Sequence, residues 1–298
     1  MKTILFPTDF SKAANHAIDF AVLLAKLHHA RLTLLNVYNV LMPSDLYGTL
    51  PAQTESLISQ TEMQAQEQMN QLRESLLSKH DYFRKDTSRL ETKLVYGFSG
   101  DTIVEEAEAL KPIAVVMGSK GATSSFEKFF GSVTTAVMTR LVFPLFIIPA
   151  EAKLRTMQHI CYAIDLHGDE TPQIEIIKEF ASVLGAEIRI LHITKHDEDI
   201  SKETMRDLEK YYVDKTITFR HLYRNNVIEG LERYITNKKP EILALAITEK
   251  GFFEKLFHQS VTRHLALTAK IPLLMLHKMP VTVTQQTHEV EEISQLII

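Results

Sequence analysis

Gly118-Ser119-Lys120-Gly121-Ala122-Thr123-Ser124-Ser125-Phe126-Glu127-Lys128-Phe129-Phe130-Gly131-Ser132 is the stretch that decides the fold. It follows the short, β-branched run Ile113-Ala114-Val115-Val116-Met117 and precedes Val133 to Leu141, whose spacing fits a short amphipathic helix. The order is strand, glycine-punctuated loop, helix start. Gly118, Gly121 and Gly131 let backbone amides approach a ligand with no Cβ in the way. Gly131 and Ser132 fall at a helix N-terminus, where unpaired N–H groups and the helix dipole favour an anion such as phosphate. Lys120 adds a positive charge, and Ser132, Thr134 and Thr135 add hydroxyls. An ordinary turn between a strand and a helix has the same pattern, so the local residues leave both readings open.

Upstream of this loop the same alternation recurs. Ile4-Leu5-Phe6 reads as a buried strand ending at Pro7-Thr8-Asp9, and Ser11 can cap a helix in which Ala14, Ala17, Ile18, Ala21, Leu24 and Ala25 share one face. Leu32 to Val37 is a second strand, and residues 39 to 52, with Pro43, Gly48 and Pro51, form a loop. Thr54 to His80 contains no glycine or proline, and Leu57, Ile58, Ala65, Met69, Leu72 and Leu76 mark one face of a long helix. Glu91 to Tyr96 is a third strand, Gly97 to Gly100 a turn, Thr102 to Leu110 a third helix and Phe143 to Pro149 a fifth strand. Strands alternating with helices make a parallel sheet covered on both faces.

The pattern then begins again. Ile160-Cys161-Tyr162-Ala163-Ile164-Asp165 matches Ile4-Leu5-Phe6-Pro7-Thr8-Asp9, and at the same offset of 156 positions Ala181 to Ile193 aligns with Ala25 to Val37. Phe253-Glu254-Lys255-Leu256-Phe257 echoes Phe126-Glu127-Lys128-Phe129-Phe130, and Ser260-Val261-Thr262 echoes Ser132-Val133-Thr134. Matches at both ends of the halves identify an internal duplication. The sequence divides into a domain over 1–150, a second over 156–279 and a tail over 280–298, in which Val290, Ile293 and Ile297 could make a short apolar helical face or fray. The second copy has a much shorter second helix, near Ser201 to Tyr212. Its loop keeps Lys250-Gly251 but aligns Thr248 with Gly118 and Gln259 with Gly131, so one working anion site is expected rather than two.

Composition narrows the function classes. The 298 residues carry 45% apolar and 23% charged side chains and a net charge of −4, which argues against a large basic surface for nucleic acid. A single cysteine, Cys161, excludes an internal disulfide, and its place in an apolar run marks a packed core thiol. No apolar stretch reaches the ~18 residues of a membrane span, and no signal-peptide pattern opens the chain. A cytoplasmic protein without membrane or nucleic-acid partners is the expectation. There is no Walker loop and no G-x-G-x-x-G fingerprint. His196-Asp197-Glu198-Asp199 reads as a solvated helix start rather than a metal site, because consecutive side chains diverge.

In an open parallel sheet, ligands bind beyond the carboxyl ends of the strands where strand order reverses. If the first and fourth strands flank that point, Asp9 meets the glycine loop. A carboxylate is repelled by polyphosphate, so Asp9 either receives a sugar hydroxyl or base amine, touches a metal ion, or complements the following helix dipole.

Gly118-x-x-Gly121, nine residues, then Gly131-Ser132, together with Ile4 to Ser11, resembles the ATP-binding signature of the universal stress proteins. The resemblance covers both halves and implies two tandem Rossmann-like α/β domains, each a five-stranded parallel sheet in order 3-2-1-4-5 flanked by helices. It implies ATP, with magnesium as a candidate companion, held by Pro7, Thr8 and Asp9 at the first turn, Val37 at the end of the second strand and Met117 beside the base or ribose. Gly118, Ser119, Lys120, Gly121, Gly131, Ser132, Val133 and Thr134 fall to the phosphates. The family also pairs domains through the fifth strand, which here would join Phe143–Pro149 to Ile271–His277 as an intramolecular pseudo-dimer. A nucleotide-dependent regulatory protein, possible homodimerisation and an unidentified protein partner follow from the resemblance; an ATP-independent scaffold and slow ATP hydrolysis are the competing readings. No residue is an evident base for water, Asp9, Ser132 and Thr134 being the nearest candidates.

Overall fold

The computed structural model describes residues 1–40, 51–119, 130–153, 156–166, 168–194, 199–213, 216–247 and 270–278. The first half runs β1 (Thr3–Pro7), α1 (Lys12–Leu27), β2 (Arg31–Tyr38), α2 (Pro51–Lys79), α3 (Asp81–Arg84), β3 (Leu90–Tyr96), α4 (Ser99–Leu110), β4 (Ala114–Ser119), α5 (Ser132–Arg140) and β5 (Leu145–Pro149). The second runs β6 (His159–Ile164), α6 (Thr171–Leu184), β7 (Glu187–Thr194), α7 (Asp199–Tyr211), β8 (Ile217–Tyr223), α8 (Val227–Lys238), β9 (Ile242–Ile247) and β10 (Leu273–His277). Sequence periodicity predicts most of these within a few residues. It does not foresee α3 or the 3-10 turn Thr87–Arg89, which are too short to show a period.

The ten described strands join one sheet in the order β3-β2-β1-β4-β5-β10-β9-β6-β7-β8. Each half is therefore a parallel 3-2-1-4-5 sheet, as the resemblance implies, and the halves meet where β5 pairs antiparallel with β10. Alternating side chains feed two cores. Ile4 and Phe6 of β1 enter the core under α1, while Leu5 enters the opposite one with Ile103 of α4 and Val137 of α5. At the junction Phe20 of α1, Phe146 of β5 and Phe180 of α6 stack in sequence, with ring centroids 5.1 and 5.0 Å apart.

The helices begin and end for local reasons. Ser11 caps α1 by accepting a hydrogen bond from the Ala14 amide at 3.3 Å, as its position predicts. α2 starts at Pro51, earlier than the Thr54 read from the sequence; proline is preorganised for a first helical position. Its apolar face is incomplete: Ala65, Met69 and Leu76 of this 29-residue helix are buried, but Leu57 is exposed.

The duplication extends to the backbone. Ile4 pairs with Ala114 as Ile160 pairs with Ile242, and Asn36 opposes Leu94 as His192 opposes His221. Left-handed residues recur at Phe10 and Leu166 and at Lys111 and Lys239. These registers correct one alignment. Gly118 lies opposite Ile148 as Ala246 lies opposite Leu276, and neighbouring pairs correspond as well, so Ala246 rather than Thr248 holds the place of Gly118. A lone Lys-Gly match is a weak anchor in sequence, whereas the hydrogen-bond register fixes the alignment and makes the span from Ala246 to Ser260 equal in length to that from Gly118 to Ser132. Thr248, Lys250, Gly251, Gln259 and Ser260 lie outside the described residues, as does the 280–298 tail. α7 has 13 residues against the 29 of α2, matching the expected shortening.

Candidate functional site

β1 leads to β2 on one side and β4 lies on the other, so the strand order of the first half reverses between β1 and β4. At their carboxyl ends opens a cavity of about 440 Å³, within the range of roughly 300–1,000 Å³ usual for small-molecule sites. Pro7, Thr8, Asp9, Val37, Met117, Gly118, Gly131, Ser132, Val133 and Thr134 all line it. Those ten sequence-selected residues come from four separate segments. Ser119, the last residue of β4, is buried and absent from the lining. Lys120 and Gly121 lie outside the described residues.

The first turn is locked from within. The Thr8 amide donates to the Leu35 carbonyl at 2.8 Å, and Asn36 Nδ2 donates to the Thr8 carbonyl at 2.8 Å. Thr8 Oγ1 accepts from the Phe10 amide and Asp9 Oδ1 from the Ser11 amide, both at 3.0 Å. Phe10, at φ 58°, supplies the left-handed step that swings the chain into α1. Asp9 thus holds its own turn with one carboxylate oxygen while lining the cavity.

Two glycines matter for different reasons, and one differs from expectation. A Cβ at Gly118 would lie 2.5 Å from the Ala13 carbonyl oxygen and 2.9 Å from the Ala14 nitrogen, so glycine is needed there for the first turn of α1 to pack on β4. Close approach of protein backbone, not of a ligand, accounts for it. Gly131 has open space around its Cβ position but sits at φ 80°, ψ 156°, a region restricted essentially to glycine. It is the N-cap of α5 and, being glycine, has no side chain with which to cap that helix. The Thr135 amide is the first to bond back, to the Gly131 carbonyl at 3.0 Å. The amides of Ser132, Val133 and Thr134 therefore have no intrahelical acceptor, and these three residues line the cavity.

The sequence reading missed Lys12, Ser99 and Ile103, which also line the cavity. Lys12 and Ser99 open α1 and α4, so three helices start at its rim. Their signal lies in topology: every helix that follows a strand of a parallel sheet begins on the carboxyl side. Among the described residues, no three His, Cys, Asp or Glu side chains gather as a metal site. His196, Asp197 and Glu198 lie outside the described residues. No helix among the described residues is long and apolar enough to cross a membrane.

A doubly wound α/β protein with a small-molecule-sized cavity at its topological switch point is what fold and site define. The sequence model of the universal stress protein family matches residues 1–149, half of the chain. The chain belongs to the universal stress protein family. Universal stress protein MJ0577 of Methanocaldococcus jannaschii is 28% identical over 153 residues, which span 49% of this chain and 94% of that relative. A solved universal stress protein from Archaeoglobus fulgidus superposes with a TM-score of 0.71 at 15% identity, over 93% of this chain and 98% of that one. A functionally unknown protein from Pseudomonas aeruginosa gives a TM-score of 0.59 at 14% identity, over 97% and 96% of the two chains. Both structures share the fold along nearly the whole length.

Proposed function

We propose that this chain is a stress-response regulatory protein that holds one adenine nucleotide, ATP, in the cavity of its first half. The observation that carries the reading is the uncapped N-terminus of α5, whose Ser132, Val133 and Thr134 border the same cavity as Asp9, Val37 and Met117. Free amides at a helix start suit phosphate oxygens, and the apolar Val37 and Met117 suit a base. The Asp9 carboxylate is the acceptor for a ribose hydroxyl or a base amine, or the ligand of a magnesium ion that accompanies the phosphates.

In this reading the nucleotide acts as a switch: it favours one conformation of the rim and so changes the surface offered to a protein partner. That requires different affinities for two conformations. The working units are 1–150, 156–279 and the tail, in a cytoplasmic chain with its single buried thiol reduced. Hydrolysis is at most slow, since among the described residues Asp9 is the only carboxylate in the cavity lining.

The test is mass spectrometry of small molecules released from the purified full chain, with ATP titration of the stripped protein in magnesium. One adenine nucleotide per chain is expected. No release and no binding would leave an ATP-independent scaffold.

A further inference from the structure

At the crevice, corresponding positions in the two halves differ in chemistry. In the first half Phe6 is core, while Ala14 and Ala150 line the cavity. Their counterparts, by the registers that equate Ile4 with Ile160 and Ile148 with Leu276, are Tyr162, Glu170 and Lys278. These three are bonded to one another. Lys278 Nζ donates to Glu170 Oε1 at 2.5 Å and to Asp165 Oδ1 at 3.0 Å, and the Tyr162 hydroxyl donates to Glu170 Oε2 at 2.6 Å. Asp165 is the counterpart of Asp9. The side chains of Glu170 and Lys278 are only 1% and 8% exposed, so these charges are out of water and hold each other.

We infer that Lys278 is a resident cation of the second half, filling with its own side chain the crevice that stays open in the first, so that this half takes no diffusible ligand between Asp165 and the end of β10.

The backbone agrees. α1 begins at Lys12, but α6 begins only at Thr171, one turn later by alignment, with Glu170 as its N-cap. In the first half that turn presses on Gly118; in the second the facing residue is Ala246, which carries the Cβ that Gly118 cannot. Loss of the helical turn and gain of the Cβ go together, and the space goes to Glu170. Gln173 Nε2 donates to the His277 carbonyl at 3.1 Å and ties α6 to the strand end that carries Lys278. Burial outweighs the attraction of Lys278 and raises the pKa of the Glu170 carboxyl, as expected of a charge with no bulk solvent around it.

The inference stands whether or not the first half binds nucleotide, and it is tested in the full chain without one. Lys278→Ala removes the ammonium bonded to both carboxylates and is expected to lower the thermal midpoint by roughly 10 °C. The triple variant Tyr162→Phe/Glu170→Ala/Lys278→Ala restores the first-half complement and recovers most of that loss. Millimolar n-butylammonium chloride raises the midpoint of Lys278→Ala saturably, and not that of wild type or of the triple variant, when compared with sodium chloride at equal ionic strength. In case Lys278→Ala does not fold, reductive methylation of the wild type, read by mass spectrometry, leaves Lys278 unmodified while Lys210, 76% exposed, reacts. Methylation of Lys278 as fast as Lys210, or a folded Lys278→Ala with an unchanged midpoint, would overturn the inference.

Discussion

Phe146 and Leu274 lie directly opposite each other across the antiparallel pair of β5 and β10, and each is the counterpart of the other in the duplicated halves. A pseudo-twofold axis therefore passes through this residue pair, with Leu145 meeting Met275 on one side and Ile147 meeting Leu273 on the other. Phe146 also stacks between Phe20 and Phe180, which belong to different halves.

Because the junction is core, the halves are expected to unfold together. Phe146→Ala removes the middle ring of that stack and is expected to destabilise the chain by about 3–5 kcal/mol. Differential scanning calorimetry should show a single transition in wild type, moving as one in the variant. Two separate transitions in wild type would show that the junction does not couple the halves.

The two counterpart positions Gly118 and Ala246 should respond unequally to exchange. Gly118→Ala places a Cβ against the Ala13 carbonyl and is expected to cost roughly 1–3 kcal/mol by overpacking. Ala246→Gly should cost only about 0.5–1 kcal/mol, the entropy of a glycine within a strand. Urea unfolding compares them. A Gly118→Ala chain as stable as wild type would mean that α1 does not press on β4 as described.

Donor deletion at the start of α5 separates backbone from side chain. Ser132→Pro keeps a helix-compatible first residue but removes one amide facing the cavity, and is expected to weaken ATP binding at least tenfold, the worth of about 1.5–3 kcal/mol for a hydrogen bond to a charged group. Ser132→Ala retains the amide and should bind more nearly as wild type. Isothermal titration reads both; equal affinities for wild type and Ser132→Pro would remove the α5 amides from the site.

Acid should weaken the first half in a defined window. Burial, and then Lys2, lowers the pKa of His28; burial, and then Lys26, lowers that of His80. The buried Nε2 atoms of both rings have no hydrogen-bond partner among the described residues, so the neutral ring is the form that packs. The unfolded chain takes up protons first, near pH 6.5, so stability is expected to be full above that value and to decline as pH falls from 6.5 through the lowered folded values. Denaturation midpoints of a His28→Gln/His80→Gln variant should show a flatter slope in that range.

Cys161 has no exposed surface, and burial pushes its thiol pKa up to about 12. A thiol so protonated is a poor nucleophile, so an aromatic disulfide reagent at pH 8 should react only as fast as the chain unfolds. Rapid reaction in native buffer would contradict the packing of β6.

Much of the site was legible because it lies on segments whose period or punctuation is unmistakable: Pro7 to Asp9 ends an apolar run, and Gly131 precedes a helix. The reason for Gly118 was not legible, since the atoms that require it belong to Ala13 and Ala14, far away in sequence. Lys12 and Ser99 escaped for a related reason: each looks like an ordinary helix start until the sheet order brings the two together. The network around Lys278 was hidden more deeply. Its members are unremarkable singly, and only the strand registers reveal that an alanine pair and a phenylalanine have changed in concert.

The antiparallel seam at Phe146 and Leu274 also changes what mutation can do. In a pair of identical subunits every substitution appears twice, so a residue that filled one crevice would fill both. With the two halves on a single chain, their association needs no second molecule and does not loosen on dilution, and each crevice can diverge by itself. Glu170 and Lys278 could arise on one side while Ala14 and Ala150 remained on the other, which gives the molecule two unlike faces that a symmetric pair cannot have.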